Sequence, residues 1–219
     1  HKDLLDSILR KKKQIKLPKF KEQAMPEGEL IYTANKEHQM YIEYLNKRGL
    51  QHNDYPFMVN PKAEGRQGQG IIIPYTYENK VVGSTIRFMD DRNPKFINDQ
   101  QQGYVFGTDL QKDDWEVVLV FEGIFDAISM NGLALTHDTI NDNQVAVINK
   151  LGKRVIVVPD QDQTGLGICE RALELGYDVS LPNWSEDIKD ANDAVIKYGR
   201  LNTLLSIIDS ATNSKIKVE

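Results

Sequence analysis

Three groups of acidic residues have a spacing that could do chemistry. Glu122 is followed by Gly123 and, four residues on, by Asp126; Asp160 and Asp162 flank one glutamine; Asp190 and Asp193 share the run Lys189-Asp190-Ala191-Asn192-Asp193. Carboxylates gathered in one place repel, and two of them about 5 Å apart cost roughly 3 kcal/mol at an effective dielectric of about 20. A chain that brings Glu122, Asp160, Asp162 and Asp190 together therefore calls for a divalent cation. With no His or Cys in these runs, the oxygen donors favour Mg2+ or Mn2+ over zinc. Such ions neutralise phosphate charge and activate an attacking oxygen. Taken singly, each group has an ordinary explanation, since Glu-Gly is common in turns and an aspartate often caps a helix. Order, spacing and the element that each group follows carry the argument.

Those elements are legible from Trp115 onward. Val117–Phe121 is a continuous apolar run, as expected for a strand buried on both faces. A helix pattern follows, with Asp126 on the same face as Glu122, and residues 141–151 form another. Val155–Val158 reads as a second buried strand, Leu166–Leu175 as a helix ending at Gly176, and Asp178–Leu181 as a third strand. Asp190–Tyr198 and Leu201–Ile208 read as closing helices. Alternating strands and helices imply a parallel sheet. In such a sheet sites form outside the carboxyl ends of the strands, where all three acidic groups fall.

The first half has a different texture. Leu4, Leu5, Ile8 and Leu9 are at helical spacing over residues 3–14, and a second helix is expected over residues 35–48, with Gly49 as its C-terminal cap. Residues 54–70, rich in Pro and Gly, read as loop. Ile71–Tyr75 and Lys80–Phe88 read as a hairpin turning at Glu78-Asn79-Lys80, and Pro94–Ile97 as a further short strand.

A net charge of −5 does not by itself suit a nucleic-acid binder, but Arg10, Lys11, Lys12, Lys13, Lys16, Lys19 and Lys21 crowd the N-terminal end while acids gather after Asp109. Local patches, not totals, decide phosphate binding. The single cysteine, Cys169, excludes an internal disulfide and a cysteine-rich zinc ribbon. No apolar run is long enough to cross a membrane and no secretory signal is visible, so a cytoplasmic location is expected. The chain begins at His1 and is expected to be a fragment of a larger protein.

Glu122-Gly123-Ile124-Phe125-Asp126-Ala127, Asp160-Gln161-Asp162-Gln163-Thr164-Gly165 and Lys189-Asp190-Ala191-Asn192-Asp193 together resemble the Toprim domain of DnaG-like bacterial and phage primases. Toprim domains also occur in topoisomerases, nucleases and a recombination mediator. The upstream residues narrow the resemblance: Ile71–Pro74, Gly83 with Arg87, Pro94-Lys95-Phe96-Ile97-Asn98, Val105-Phe106-Gly107 and Tyr44-Leu45-Asn46-Lys47-Arg48-Gly49-Leu50 look like the polymerase core of those primases. The likeness covers about residues 40–198. Two departures stand out: Gln161 lies between aspartates that a glycine usually separates, and Asp-Ala-Asn replaces Asp-Pro-Asp, so that Asn192 is a weaker ligand than the usual aspartate. These suit a divergent phage branch.

The resemblance implies an α/β chain, α+β overall, in which a Rossmann-like parallel Toprim sheet with helices on both faces follows a mixed primase-specific subdomain. The boundaries expected are 1–112 for the first part, 113–199 for the Toprim domain and 200–219 for a C-terminal helix and tail. It implies a primase catalytic core that joins ribonucleoside triphosphates into short RNA primers on single-stranded DNA. Glu122, Asp160 and Asp162 would be catalytic and, with Asp190, would hold Mg2+ or Mn2+; Asp126 and Asp193 are secondary candidates. Arg66, Arg87, Lys95 and Asn98 would face template or nucleotide phosphates. A replicative helicase and an N-terminal zinc-binding module would be partners. Three other readings stay open: a Toprim nuclease, a phosphatase of the haloacid-dehalogenase type using Asp160 and Asp162, and a non-catalytic DNA-clamping module.

Overall fold

Alternating β-branched and aromatic residues on either side of Glu78-Asn79 build the longest hairpin among the described residues. In the computed structural model, β3 (Gly70–Tyr77) and β4 (Lys80–Phe88) pair antiparallel from Gly70↔Phe88 to Tyr77↔Lys80. Glu78 and Asn79 both have positive φ, 52° and 61°, the backbone of a type I′ turn whose twist matches that of the strands. The structure describes residues 16–63, 70–90, 92–137, 139–161 and 165–214, the side chains of residues 165 and 166 excepted. The helix expected over 3–14, together with Arg66 and Asp162, lies outside the described residues.

β5 (Phe96–Asp99) adds to the free edge of β4, placing Phe96 opposite Arg87. On the other side β3 pairs with β2 (Met58–Val59), and β2 with β1 (Glu29–Leu30), giving a five-stranded antiparallel sheet in the order β1-β2-β3-β4-β5. β2 corrects the expectation of loop over residues 54–70: two residues between prolines are too short to leave a period in the sequence, yet both are buried. The helix expected over 35–48 is α1 (Gln39–Lys47), preceded by a single 3-10 turn that Asn35 caps by accepting from the Glu37 amide. Gly49 follows it with φ 66°, the left-handed stop that glycine adopts at least cost.

In the second half, β6 (Val117–Phe121) is followed by α2 (Ile124–Met130) and β7 (Leu133–Ala134), then by α3 (Asp142–Lys150) and β8 (Arg154–Val157). Asn141 and Gln144 form a reciprocal capping box at the start of α3. α4 (Gly165–Glu174), β9 (Asp178–Ser180), α5 (Ala191–Tyr198), α6 (Arg200–Ser210) and β10 (Ala211–Thr212) are the remaining elements of the described residues. The sheet order is β10-β9-β8-β6-β7; β7, β6, β8 and β9 are parallel and only β10 runs against them. From β6 the chain moves outward to β7, then returns to lay β8 on the other side of β6. That reversal is a topological switch point, where an open parallel sheet offers a crevice at its strand carboxyl ends.

The described residues thus form two sheets and six helices, a mixed α+β fold as expected. One contiguous core joins the halves: Tyr75 of β3 stacks on Tyr104 with ring centroids 4.9 Å apart, Phe106 lies edge-on to Tyr75 at 6.0 Å, and both belong to the same cluster as β6 and β8. Among the described residues no helix is long and apolar enough to cross a membrane.

Candidate active site

β6 and β8 end side by side, and each releases an acid into the switch-point crevice. Val158 extends the ladder by donating its amide to Val120 O at 2.8 Å, and two residues later the Asp160 amide donates to Glu122 Oε1 at 3.1 Å. Two carboxylate residues 38 positions apart are therefore in direct hydrogen-bonded contact. Glu122 and Asp126 do not share a helix face, however: α2 begins at Ile124, so Glu122 sits in the preceding turn and only Asp126 is helical.

The late acidic run reaches the same edge. The Gln161 amide donates to Lys189 O at 2.7 Å, and Lys189 Nζ lies 3.8 Å from Asp160 Oδ2. Asp190 caps α5, its carboxylate accepting from the Asp193 amide at 2.8 Å, and Asp193 Oδ2 accepts from the Lys189 amide at 3.3 Å. Asp126 is buried beneath them. Burial, and next the negative charge of Asp190, hold its carboxyl well above the usual carboxylate range, with Asp160 adding to the effect. Gly123 leaves room for this carboxyl: a Cβ at that position would press on Asp126 Oδ2 and force the side chain to shift.

Glu122, Asp160, Asp190 and Asp126 thus lie in one negative field. Among the described residues no three His, Cys, Asp or Glu side chains are gathered tightly enough to enclose an ion, and Asp162, two residues beyond Asp160, lies outside them. The donor set is carboxylate oxygen alone. Cys169 is no competitor, because burial pushes its thiol up to about 11 and keeps it neutral. A hard divalent cation fits such a set, and its charge would relieve the repulsion that Asp126 registers.

A cationic group packs against Phe125 of α2, the helix that carries Asp126. Tyr44, in α1, accepts hydrogen bonds at its phenol oxygen from Arg87 Nε at 2.8 Å and from Arg48 Nε at 3.0 Å. The Arg87 guanidinium lies 4.9 Å from the Phe96 ring centre, and that of Arg48 lies 4.6 Å from the ring centre of Phe125, the neighbour of Asp126. Arg87 is only 7% exposed and also donates to Lys95 O at 3.3 Å. Among the described residues neither arginine is paired with a carboxylate. Two guanidinium groups converging on one neutral oxygen leave an unbalanced positive charge over aromatic faces. Lys95 is exposed beside them.

β5 links the two groups. A cavity of about 140 Å3 is lined by Phe96, Asn98, Glu122, Gly123, Ile124 and Thr136. Asn98 Oδ1 accepts from Thr85 Oγ1 and from the Tyr75 hydroxyl, which fixes the orientation of its amide. The structure therefore brings Glu122, Asp160, Asp190, Asp126 and Asp193 to one end of the parallel sheet, with Asn98 on the cavity that Glu122 lines and Arg87 braced between Tyr44 and Phe96. Tyr44 and Arg48 stood out in sequence only as part of a run that resembles the primase core and were given no site role, although their spacing of four residues on a helix places both on one face.

Asn192 is also placed differently from expectation. Rather than pointing with the acids as a weaker ligand, it is 2% exposed and spends its side-chain amide on Arg48 O at 2.8 Å and Ser129 Oγ at 2.6 Å. Its backbone amide donates to Asp126 Oδ1 at 2.7 Å.

No family model matches the chain. A DNA primase from Clostridium acetobutylicum is 24% identical over 168 residues, which are 65% of this chain and 28% of that protein. The chain thus spans less than a third of that relative's length. Among solved structures, a DnaG primase catalytic domain bound to single-stranded DNA superposes with a TM-score of 0.66 at 16% identity, covering 84% of this chain and 75% of the other. The primase fragment of the bacteriophage T7 primase-helicase superposes with a TM-score of 0.57 at 17% identity, over 87% of this chain and 81% of that fragment.

Proposed function

From a chain that carries the fold of the DnaG-type primase catalytic core and is similar in sequence to a bacterial DNA primase, we propose that the molecule makes RNA primers on single-stranded DNA. The observation that carries the reading is the contact between Glu122 and Asp160 at the switch point, beside a cavity that β5 completes. An acidic edge in the same molecule as two arginines that no carboxylate balances suits a substrate that brings both a triphosphate and a metal ion.

In this reading residues 1–112 form the primase-specific part, 113–199 the Toprim domain and 200–219 a C-terminal helix and tail. Glu122, Asp160, Asp162 and Asp190 would hold Mg2+ or Mn2+, which when bound neutralises the triphosphate and activates the attacking oxygen. The chain's own residues position the reactants. Arg48, Arg87 and Lys95 bind phosphate oxygens, and Asn98 orients the nucleotide across the cavity that Glu122 lines. The 3′-hydroxyl of one ribonucleotide attacks the α-phosphorus of the next, pyrophosphate leaves, and the Glu122 carboxylate accepts the hydroxyl proton. Positioning and charge complementarity supply the rate, as in phosphoryl transfer generally. The single-stranded DNA in the superposed catalytic domain supports a DNA template, and the T7 primase-helicase supports a helicase partner. A zinc-binding module and a cytoplasmic site of action belong to the same reading.

The test is incorporation of labelled ribonucleotides on single-stranded DNA with Mg2+ or Mn2+. Glu122→Gln and Asp160→Asn are each expected to lower synthesis by at least about a hundredfold, the scale of a lost electrostatic contact in the transition state. Undiminished synthesis in both variants would overturn the assignment. Metal-dependent nicking without nucleotides would select the nuclease, and turnover of an aryl phosphate the phosphatase.

A further inference from the structure

We infer that Asn192 is a positioning residue that ties the Arg48–Tyr44–Arg87 group to the acidic edge. Both hydrogens of its side-chain amide are used between elements far apart in sequence: one goes to Arg48 O, 144 residues away at the end of α1, the other to Ser129 Oγ in α2, 63 residues away. Its own backbone holds Asp126 from the start of α5. Three elements thus meet at one buried side chain.

The direction of these bonds matters. The carbonyls at the end of a helix have no partner within it. Arg48 follows the last residue of α1, and Asn192 supplies the donor that its carbonyl lacks. Holding that carbonyl fixes the backbone from which the Arg48 side chain leaves, and the side chain then runs to Tyr44 and Phe125. Asn192 touches no guanidinium itself. It acts on Arg48 through the main chain.

Asparagine is the residue type that this junction demands. An aspartate of the same shape has no hydrogen to give the Arg48 carbonyl, and it would add a second carboxylate beside buried Asp126. An aliphatic residue would leave the Arg48 carbonyl, the Ser129 hydroxyl and the orientation of α5 on α2 without their common donor.

The inference rests on the primase reading in taking a nucleoside triphosphate as the ligand that Arg48 meets. Equilibrium binding of a fluorescent ribonucleoside triphosphate, with EDTA and then with Mg2+, tests it in a double-mutant cycle. Arg48→Ala removes the guanidinium but leaves the Arg48 carbonyl bond intact. In EDTA, Asn192→Ala and Arg48→Ala are each expected to weaken binding about tenfold, and the double variant by about tenfold as well, not a hundredfold. An additive hundredfold loss, or wild-type affinity in Asn192→Ala, would overturn the inference. Ser129→Ala keeps the Arg48 bond and is expected to keep wild-type affinity; a loss equal to that of Asn192→Ala would mean that general packing is responsible.

Should Asn192→Ala not fold, isosteric Asn192→Asp takes its place with the same expected loss. If the aspartate instead tightens Mg2+-dependent binding, position 192 is a ligand position and the inference falls. A readout without ligand separates it from the primase reading. In NMR spectra the Arg48 Nε–H is expected to exchange with solvent faster in Asn192→Ala than in wild type, while that of Arg87 is expected to be unchanged. Wild-type protein that binds no triphosphate would sink the primase reading, and unchanged Arg48 exchange would sink the positioning role alone.

Discussion

At the scale of single residues, Asp126 has the sharpest expected signature. Burial, and next the neighbouring charge of Asp190, raise its carboxyl well above the usual carboxylate range, whereas in the unfolded chain it ionises near the ordinary value. The folded state therefore keeps a proton that the unfolded state releases. Stability is full below the ordinary carboxylate range and falls as pH rises toward the elevated value. Asp126→Asn matches the protonated shape and can still accept from the Asn192 amide, so it is expected to flatten that decline. Thermal melts in metal-free buffer from about pH 4 to pH 8 check this, and an unchanged slope counts against it. Glu122 and Asp160 were legible because each follows an apolar run that is unmistakably a strand, and Asp190 because it opens a helix. What was not legible is the role of Asn192, since no local pattern reveals that a side-chain amide will meet a carbonyl 144 residues away.

At the scale of elements, the two hairpin strands and the phenol shared by two arginines make separate claims. Asn79 sits at φ 61°, and Asn79→Val, which sets a β-branched residue in the left-handed region, is expected to cost about 1–2 kcal/mol in urea titration. Tyr44→Phe keeps the ring and removes only the oxygen, leaving Arg48 Nε and Arg87 Nε without their acceptor. A lost hydrogen bond to a charged group is worth about 1.5–3 kcal/mol, so the nucleotide KM is expected to rise about tenfold or more, with a smaller change in kcat. Steady-state priming measures both; a change confined to kcat would remove Tyr44 from nucleotide binding. The hairpin was readable from alternation and its turn, and α1 from its periodicity. Arg87 was expected to face phosphates from an open strand, but β5 and α1 close over it, and neither closure leaves a local trace in the sequence.

At the scale of the whole molecule, the two sheets share one core, with Tyr75, Tyr104 and Phe106 packed in the same cluster as Val120 and Val157. Neither half can lose its structure without exposing the other's buried face. One cooperative unfolding transition is expected, with calorimetric and van't Hoff enthalpies in agreement; two resolved transitions would contradict it. The architecture was foreseeable in outline because a change from hairpin to alternating strand and helix marks the passage from one sheet to the other. The reversal between β6 and β8 was not, because strand order is set by tertiary packing.

Phe106 and Ala134 exchange both of their main-chain hydrogen bonds, at 3.0 and 3.1 Å, across the seam between the halves. A join stitched by backbone does not swing like a door. How the arginines stand to the acids is therefore settled once, as the polypeptide folds, because the elements that carry them are sewn together through main chain and not only through side chains.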